Sequence, residues 1–193
     1  MDKNKIEKIL PKKWLGVFCG AYRGTNEKNH LLAVELGKAL ATNGIGLVYG
    51  GGGIGIMGTI ADAVLENNGW VVGVVPKNLL ATEMAHEQLD ELIIVESMQE
   101  RKKTMYEKSD AFCALPGGLG TLEEIFEAAT WTKLELHNKY KKVMLLGSND
   151  FWSGFEKILD DITSSGFIKN KDREIISSIN SVSEVISYIQ MSN

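Results

Sequence analysis

Short apolar runs alternate along this chain with longer stretches of helical period, and that alternation leaves few folds open. The runs fall at 14–19, 46–50, 70–75, 91–95, 110–115 and 142–147, and each predicts a strand. Helices are expected between them, near 27–43, 55–68, 98–108, 120–136 and 151–165, with two more at about 169–178 and 182–190. Within 27–43 the residues Leu31, Leu32, Val34, Leu36, Ala39 and Leu40 recur at the spacing of one helix face. Strands separated by helices pair in parallel with helices on both faces, so the pattern predicts an α/β, doubly wound parallel sheet. No break in composition and no internal repeat divides residues 1–193, so a single domain is expected.

An open parallel sheet binds ligands at the carboxyl ends of its strands, where helix N-termini present free N–H groups. Three loops should gather there: Gly20-Ala21-Tyr22-Arg23-Gly24, the block Gly50-Gly51-Gly52-Gly53-Ile54-Gly55-Ile56-Met57-Gly58, and Pro116-Gly117-Gly118-Leu119-Gly120-Thr121. Of the 20 glycines, eight lie between Gly44 and Gly58 and three between Gly117 and Gly120. The first block matches a dinucleotide-binding fingerprint by letter, through Gly53, Gly55 and Gly58. That fingerprint also needs an acidic residue at the end of the next strand, and here the strand ends Val74-Val75-Pro76-Lys77. No Lys-Ser/Thr pair makes the block a nucleoside-triphosphate loop. Two readings stand: a tight strand-to-helix turn, or backbone contact with a nucleotide.

The second loop is more specific, because Pro116 to Glu124 puts an anion-cradling turn, a hydroxyl and a carboxylate within about one helical turn. Thr121-Leu122-Glu123-Glu124 also reads as a capping box, with Thr121 as N-cap and Glu124 reaching back to it. A polar cluster, Met98-Gln99-Glu100-Arg101-Lys102-Lys103-Thr104-Met105, opens the preceding helix. Arg101 near that helix N-terminus opposes the macrodipole, which points to an anion or an electron-rich ring in the adjacent cleft.

Composition removes other classes. With Lys+Arg 21 against Asp+Glu 25 and a net charge of -4, no general positive field is present to hold a nucleic-acid polymer, whereas a small anion remains compatible. Cys19 and Cys113 sit in apolar runs and read as core residues of a reducing compartment, and His30, His86 and His137 show no zinc spacing. The N-terminal stretch has no apolar signal region and no run approaches about 18 apolar residues, so a cytoplasmic protein without membrane association is expected.

Val17-Phe18-Cys19-Gly20, Gly51 to Gly58, Glu100-Arg101-Lys102 and Pro116 to Glu124, in this order and spacing, resemble the LOG (Lonely Guy) family over residues 14 to 165. Its members are cytokinin riboside 5′-monophosphate phosphoribohydrolases, long labelled lysine decarboxylases. The resemblance implies a Rossmann-like homodimer that cleaves the N-glycosidic bond of a nucleoside 5′-monophosphate, AMP or a cytokinin riboside monophosphate, and needs no cofactor or metal. It places substrate contacts on Glu83, Arg101, Lys102, Gly118, Leu119, Gly120, Thr121, Leu122, Glu123, Glu124 and Thr130, with Arg101 and Glu124 as the catalytic pair. The chain departs from the family at Gln99, where members often carry His, and along Leu134 to His137.

The chemistry fits these residues. Breaking a ribosyl–purine bond builds positive charge on the sugar and negative charge on the departing base, so a carboxylate is needed near one and a cation near the other. Glu124 is expected to bind the ribose hydroxyls and stabilise the sugar cation, Arg101 to stabilise the base, and the N–H groups of Gly118, Gly120 and Thr121 to hold the phosphate. The competing expectation is a non-catalytic nucleotide sensor of the same superfamily. A pyridoxal-phosphate decarboxylase is disfavoured, since no lysine stands in a recognisable cofactor context.

Overall fold

The computed structural model describes residues 8–80, 85–147 and 151–192. Its strands are β1 (Lys13–Phe18), β2 (Ile45–Tyr49), β3 (Val71–Pro76), β4 (Glu91–Val95), β5 (Ala111–Ala114), β6 (Val143–Leu146) and β7 (Ile176–Ile179). Its helices are α1 (Glu27–Thr42), α2 (Gly55–Glu66), α3 (Met98–Lys108), α4 (Leu119–Lys133), α5 (Ser153–Ser164), the single turn α6 (Asn170–Arg173) and α7 (Val182–Met191). The strands form one seven-stranded sheet in the order β4-β3-β2-β1-β5-β6-β7, parallel at every pairing. None of the described helices is long and apolar enough to cross a membrane.

The strand order dictates the layers. The chain moves outward from β1 to β4, returns to β5 on the other side of β1, and then moves outward the opposite way. Crossovers of one hand, taken in opposite directions, put their helices on opposite faces. Accordingly Leu36 and Leu40 of α1, Ile60 and Val64 of α2 and Val185 of α7 share one core, while Met105 and Tyr106 of α3, Ile125 of α4 and Leu159 of α5 share the other. Alternate residues of each central strand feed alternate cores: Ala111, Cys113 and Leu115 one, Phe112 and Ala114 the other.

The expected doubly wound sheet and six of its strands are present, and one expectation is corrected. The segment 169–178 is not a helix: α6 stops at Arg173 and Ile176–Ile179 becomes β7, paired with β6 from Val143↔Ile176 to Leu146↔Ile179. Its polar start does form the single turn α6, but β6 would otherwise be left as a buried strand with open backbone groups, and pairing with it draws Ile176–Ile179 into the sheet.

The second core contains an aromatic nest around the loop that follows α4. Tyr106 lies edge-on to Trp131 at 5.3 Å between centroids and to His137 at 6.1 Å, and His137 is 5.7 Å from Phe112 and from Trp131. Burial, and then the nearby Lys141 charge, push the His137 pKa down to about 4, against a hydrogen bond to the Ala128 backbone that favours the charged ring. Between the ordinary histidine range and about 4, an unfolded chain binds a proton that the native protein does not, so stability drains as pH falls. The stability advantage of the parent over His137→Phe should therefore shrink between pH 7 and about 4 in parallel thermal melts. A gap independent of pH would show that the ring is not held neutral.

Candidate active site

The switch point lies between β1 and β5, where the strand order reverses, and the site is built there. Gly20, just past β1, donates its N–H to the Pro116 carbonyl just past β5 (3.2 Å), and Leu115 N–H donates to the Phe18 carbonyl (2.9 Å). Beside this joint is a cavity of about 590 Å³, bounded by Gly20 to Asn26, Gly50, Arg101, Gly117 to Thr121 and Glu124. That volume lies inside the range of about 300–1,000 Å³ usual for small-molecule sites.

The two glycine loops meet the cavity in different ways. At the start of α2, the N–H groups of Ile56 and Met57 both donate to the Gly20 carbonyl, at 3.1 and 3.3 Å. Gly55 has a φ of 63°, and a Cβ there would stand 2.2 Å from the Ala21 carbonyl oxygen. Only glycine tolerates both constraints. The start of α2 is thus a packing joint, as the tight-turn reading expects, while Gly50, Ile56 and Met57 also line the cavity.

The N-terminus of α4 is the open one. Gly118 is its N-cap and supplies no side-chain cap. The first intrahelical bond is from Leu122 N–H to the Gly118 carbonyl (3.1 Å), which leaves the N–H groups of Leu119, Gly120 and Thr121 with no acceptor inside the helix. A Cβ on Gly118 or Gly120 would meet nothing within 4 Å, so a ligand can approach the backbone itself. Such a helix start is suited to an anion.

The expected capping box is corrected by this geometry. Thr121 is not an N-cap but sits inside the first turn of α4, 4% exposed, with its hydroxyl where a Cβ on Gly117 would clash at 2.1 Å. Because the helix begins at Leu119, before Thr121, Glu124 falls well inside it and lines the cavity instead of closing a cap. A side-chain cap occurs instead on α3, where the N-cap Ser97 accepts from Glu100 N–H (3.2 Å) and the Glu100 carboxylate accepts from the N–H of Glu96, one residue before the cap (2.8 Å). It fixes the start of the helix that carries Arg101.

Arg101 is 5% exposed and donates from Nη2 to the Gly50 carbonyl at 2.7 Å. Arg101 and Glu124 both line the cavity, and both act on the Cys19 thiol at its floor. Burial and then Glu124 push that thiol far up, against a smaller opposite pull from Arg101, so Cys19 stays protonated and is no nucleophile.

The remaining expected contacts divide. Gly118, Leu119, Gly120, Thr121 and Glu123 line the cavity with Arg101 and Glu124. Leu122 packs against the second core, and Thr130 is exposed on α4 with its hydroxyl donated to the Phe126 carbonyl (2.7 Å). Lys102 is 9% exposed and forms ion pairs with Glu123 (2.5 Å) and Glu127 (2.8 Å). Burial lowers its pKa, but the two carboxylates outweigh that and hold it above the ordinary lysine range. Glu83 lies outside the described residues. The sequence reading passed over Asn29, Met98 and Phe151, which also line the cavity. Asn29 left a usable signal: it lies on the buried side of α1, with Ala33, Leu36 and Leu40.

The family model described as possible lysine decarboxylase matches residues 57–189. The cytokinin riboside 5′-monophosphate phosphoribohydrolase LOG of Oryza sativa subsp. japonica is 44% identical over 170 residues, covering 88% of this chain and 69% of its own length. The chain belongs to the LOG family. The LOG3 enzyme of the same name from Arabidopsis thaliana is 38% identical over 190 residues, covering 98% of this chain and 85% of its own, and the Rhodococcoides fascians enzyme is 45% identical over 157 residues, covering 81% and 78%. Among solved structures, the molybdenum cofactor carrier protein of Chlamydomonas reinhardtii is similar in fold, with a TM-score of 0.66 at 23% identity over 93% of this chain and 96% of its own. The molybdenum cofactor binding protein of Rippkaea orientalis gives 0.68 at 21% identity, over 94% and 98%.

In this LOG-family site the seat of Arg101 depends on Gly50. A Cβ there would stand 2.1 Å from Arg101 Nη2, the movable end of a side chain, so a substitution displaces the guanidinium more readily than the backbone. Gly50→Ala should lower AMP affinity or turnover about tenfold or more while the melting temperature changes little. Calorimetry and melting on the one variant check this, and unchanged ligand behaviour would show that the Gly50 contact does not seat Arg101.

Proposed function

We propose that this LOG-family protein hydrolyses the N-glycosidic bond of a purine nucleoside 5′-monophosphate, with adenine or N6-modified adenine as base, and releases the free base and ribose 5-phosphate. The observation that carries the proposal is one cavity that combines an open helix N-terminus, the carboxylate of Glu124 and the guanidinium of Arg101. Each answers one charge of the reaction.

The 5′-phosphate docks on the N–H groups at the start of α4, where hydrogen bonding and the helix dipole both favour an anion. Its binding energy positions the sugar beside Glu124, which holds the ribose hydroxyls and stabilises positive charge as the bond lengthens. Water adds its oxygen to C1′ and loses a proton. The bonding electrons leave with the base nitrogen, whose negative charge Arg101 offsets until a proton neutralises it. The reading includes a homodimer in the cytoplasm acting on free nucleotides, not on a nucleic-acid polymer. Leu119 and Tyr22 support the dimer, since they line this cavity yet stand 87% and 86% exposed.

Chromatography after incubation with nucleoside monophosphates and the matching nucleosides tests the scheme. Base should be released from monophosphates and far less from nucleosides, because the phosphate anchor is lost. Release from neither favours the sensor. Glu124→Gln should bind AMP and melt near the parent while losing about two or more orders of magnitude in turnover. Full activity in that variant would remove Glu124 from the chemistry.

A further inference from the structure

Neighbouring residues on α3 and α4 face two ways. On α3, Arg101 lines the cavity while Lys102 points to α4; on α4, Glu124 lines the cavity while Glu123, at its rim, takes Lys102. Lys102 also reaches Glu127 at 2.8 Å, and the Tyr106 hydroxyl donates to the same Glu127 oxygen at 2.8 Å. Lys102 and Tyr106 are one turn apart on α3, and Glu123 and Glu127 are one turn apart on α4. The contacts therefore form a ladder of three rungs between two helices.

Such a ladder constrains rotation of each helix about its own axis. Side-chain tips stand about 6 Å from the axis, so turning a helix by about 20° carries a tip about 2 Å. A misplacement of about 1 Å in a reacting group costs on the order of a hundredfold in rate. Arg101 and Glu124 are each bonded in sequence to a ladder residue, so whatever turns α3 against α4 changes their separation across the cavity. The Lys102 side chain is 11% exposed and commits its ammonium to two carboxylates, and Lys102 does not line the cavity.

We infer that Lys102, Glu127 and Tyr106 are positioning residues, which set the Arg101–Glu124 geometry by fixing α3 against α4, and that Lys102 does not touch the substrate. The inference rests on the hydrolase reading for its rate effect.

The test compares Lys102→Met, Glu127→Gln, the double variant, Lys102→Arg and the conservative Tyr106→Phe, each with melting temperature, kcat and KM for the best monophosphate and inhibition by inorganic phosphate. Lys102→Met and Glu127→Gln should each lower kcat about tenfold or more while KM and phosphate inhibition stay within about threefold. The double variant should be no more than about threefold below the worse single one, because the two residues act as a unit. Lys102→Arg, which keeps the charge, should recover most of the rate, and Tyr106→Phe should show a smaller loss in the same direction. A Lys102→Met that raises KM and weakens phosphate inhibition about tenfold at unchanged kcat, with Glu127→Gln silent, would make Lys102 a substrate contact and overturn the inference. So would variants that all match the parent. If the parent itself releases no base, the hydrolase reading fails separately. The ladder is then judged on AMP affinity, which Lys102→Met and Glu127→Gln should weaken to the same degree; a loss confined to Lys102→Met would refute it.

Discussion

The peptide groups on either side of Gly20 hold three loops together. Its N–H reaches the Pro116 carbonyl at the end of β5, and its carbonyl collects the N–H groups of Ile56 and Met57 at the start of α2. A Cβ at this position would stand 3.1 Å from the Tyr22 carbonyl oxygen and 3.3 Å from the Gly117 Cα. The backbones approach this closely only because nothing projects between them. The loops after β1, β2 and β5 are thereby set relative to one another before any ligand contributes.

This joint also sorts the two helix starts that face the cleft. The start of α2 gives its donors to the protein and becomes part of the frame. The start of α4 leaves its first N–H groups without an acceptor inside the helix, and its residues line the cavity. A buried N–H must find an acceptor, so a helix that opens against protein is structural and one that opens on a cavity is a binding element. The cavity receives charge of both signs, from Arg101 on α3 and Glu124 on α4, while the neighbouring Lys102 and Glu123 pair with each other and join those two helices.

Much of this was legible in the sequence, and the failures have physical causes. The central strands β1, β2, β3, β5 and β6 announced themselves because they are largely apolar on both faces, and the edge strand β4 did so through its run Leu92-Ile93-Ile94-Val95, although most of it is exposed. β7 did not, since Ser177 and Ser178 dilute its apolar character and its existence depends on the open edge of β6. The letters of the first glycine block matched a nucleotide fingerprint, yet the use of its donors depended on Gly20, some thirty residues upstream and outside any local window. Thr121 and Glu124 had the spacing of a cap, but the helix starts earlier, at Leu119, so both lie inside it and line the cavity. Arg101, a cation near a helix N-terminus, does line the cavity, whereas the destination of Lys102 required knowing which face α4 presents to α3.

The strand order has a consequence for how the molecule comes into being. β1 is made first but lies in the middle of the sheet, flanked by β2 on one side and β5 on the other. Its first register partner in β2 is Ile45, opposite Lys13, but its first partner in β5 is Ala111, opposite Leu15. The first half of the chain can therefore assemble largely from local crossovers, while the cleft waits for a long-range docking event that closes a large loop and is intrinsically slow. A nascent or truncated chain that ends before β5 would own every glycine of the first block and the Arg101 side of the cleft, but neither Glu124 nor the open start of α4, so the two charged sides of the cavity come together only when β5 docks.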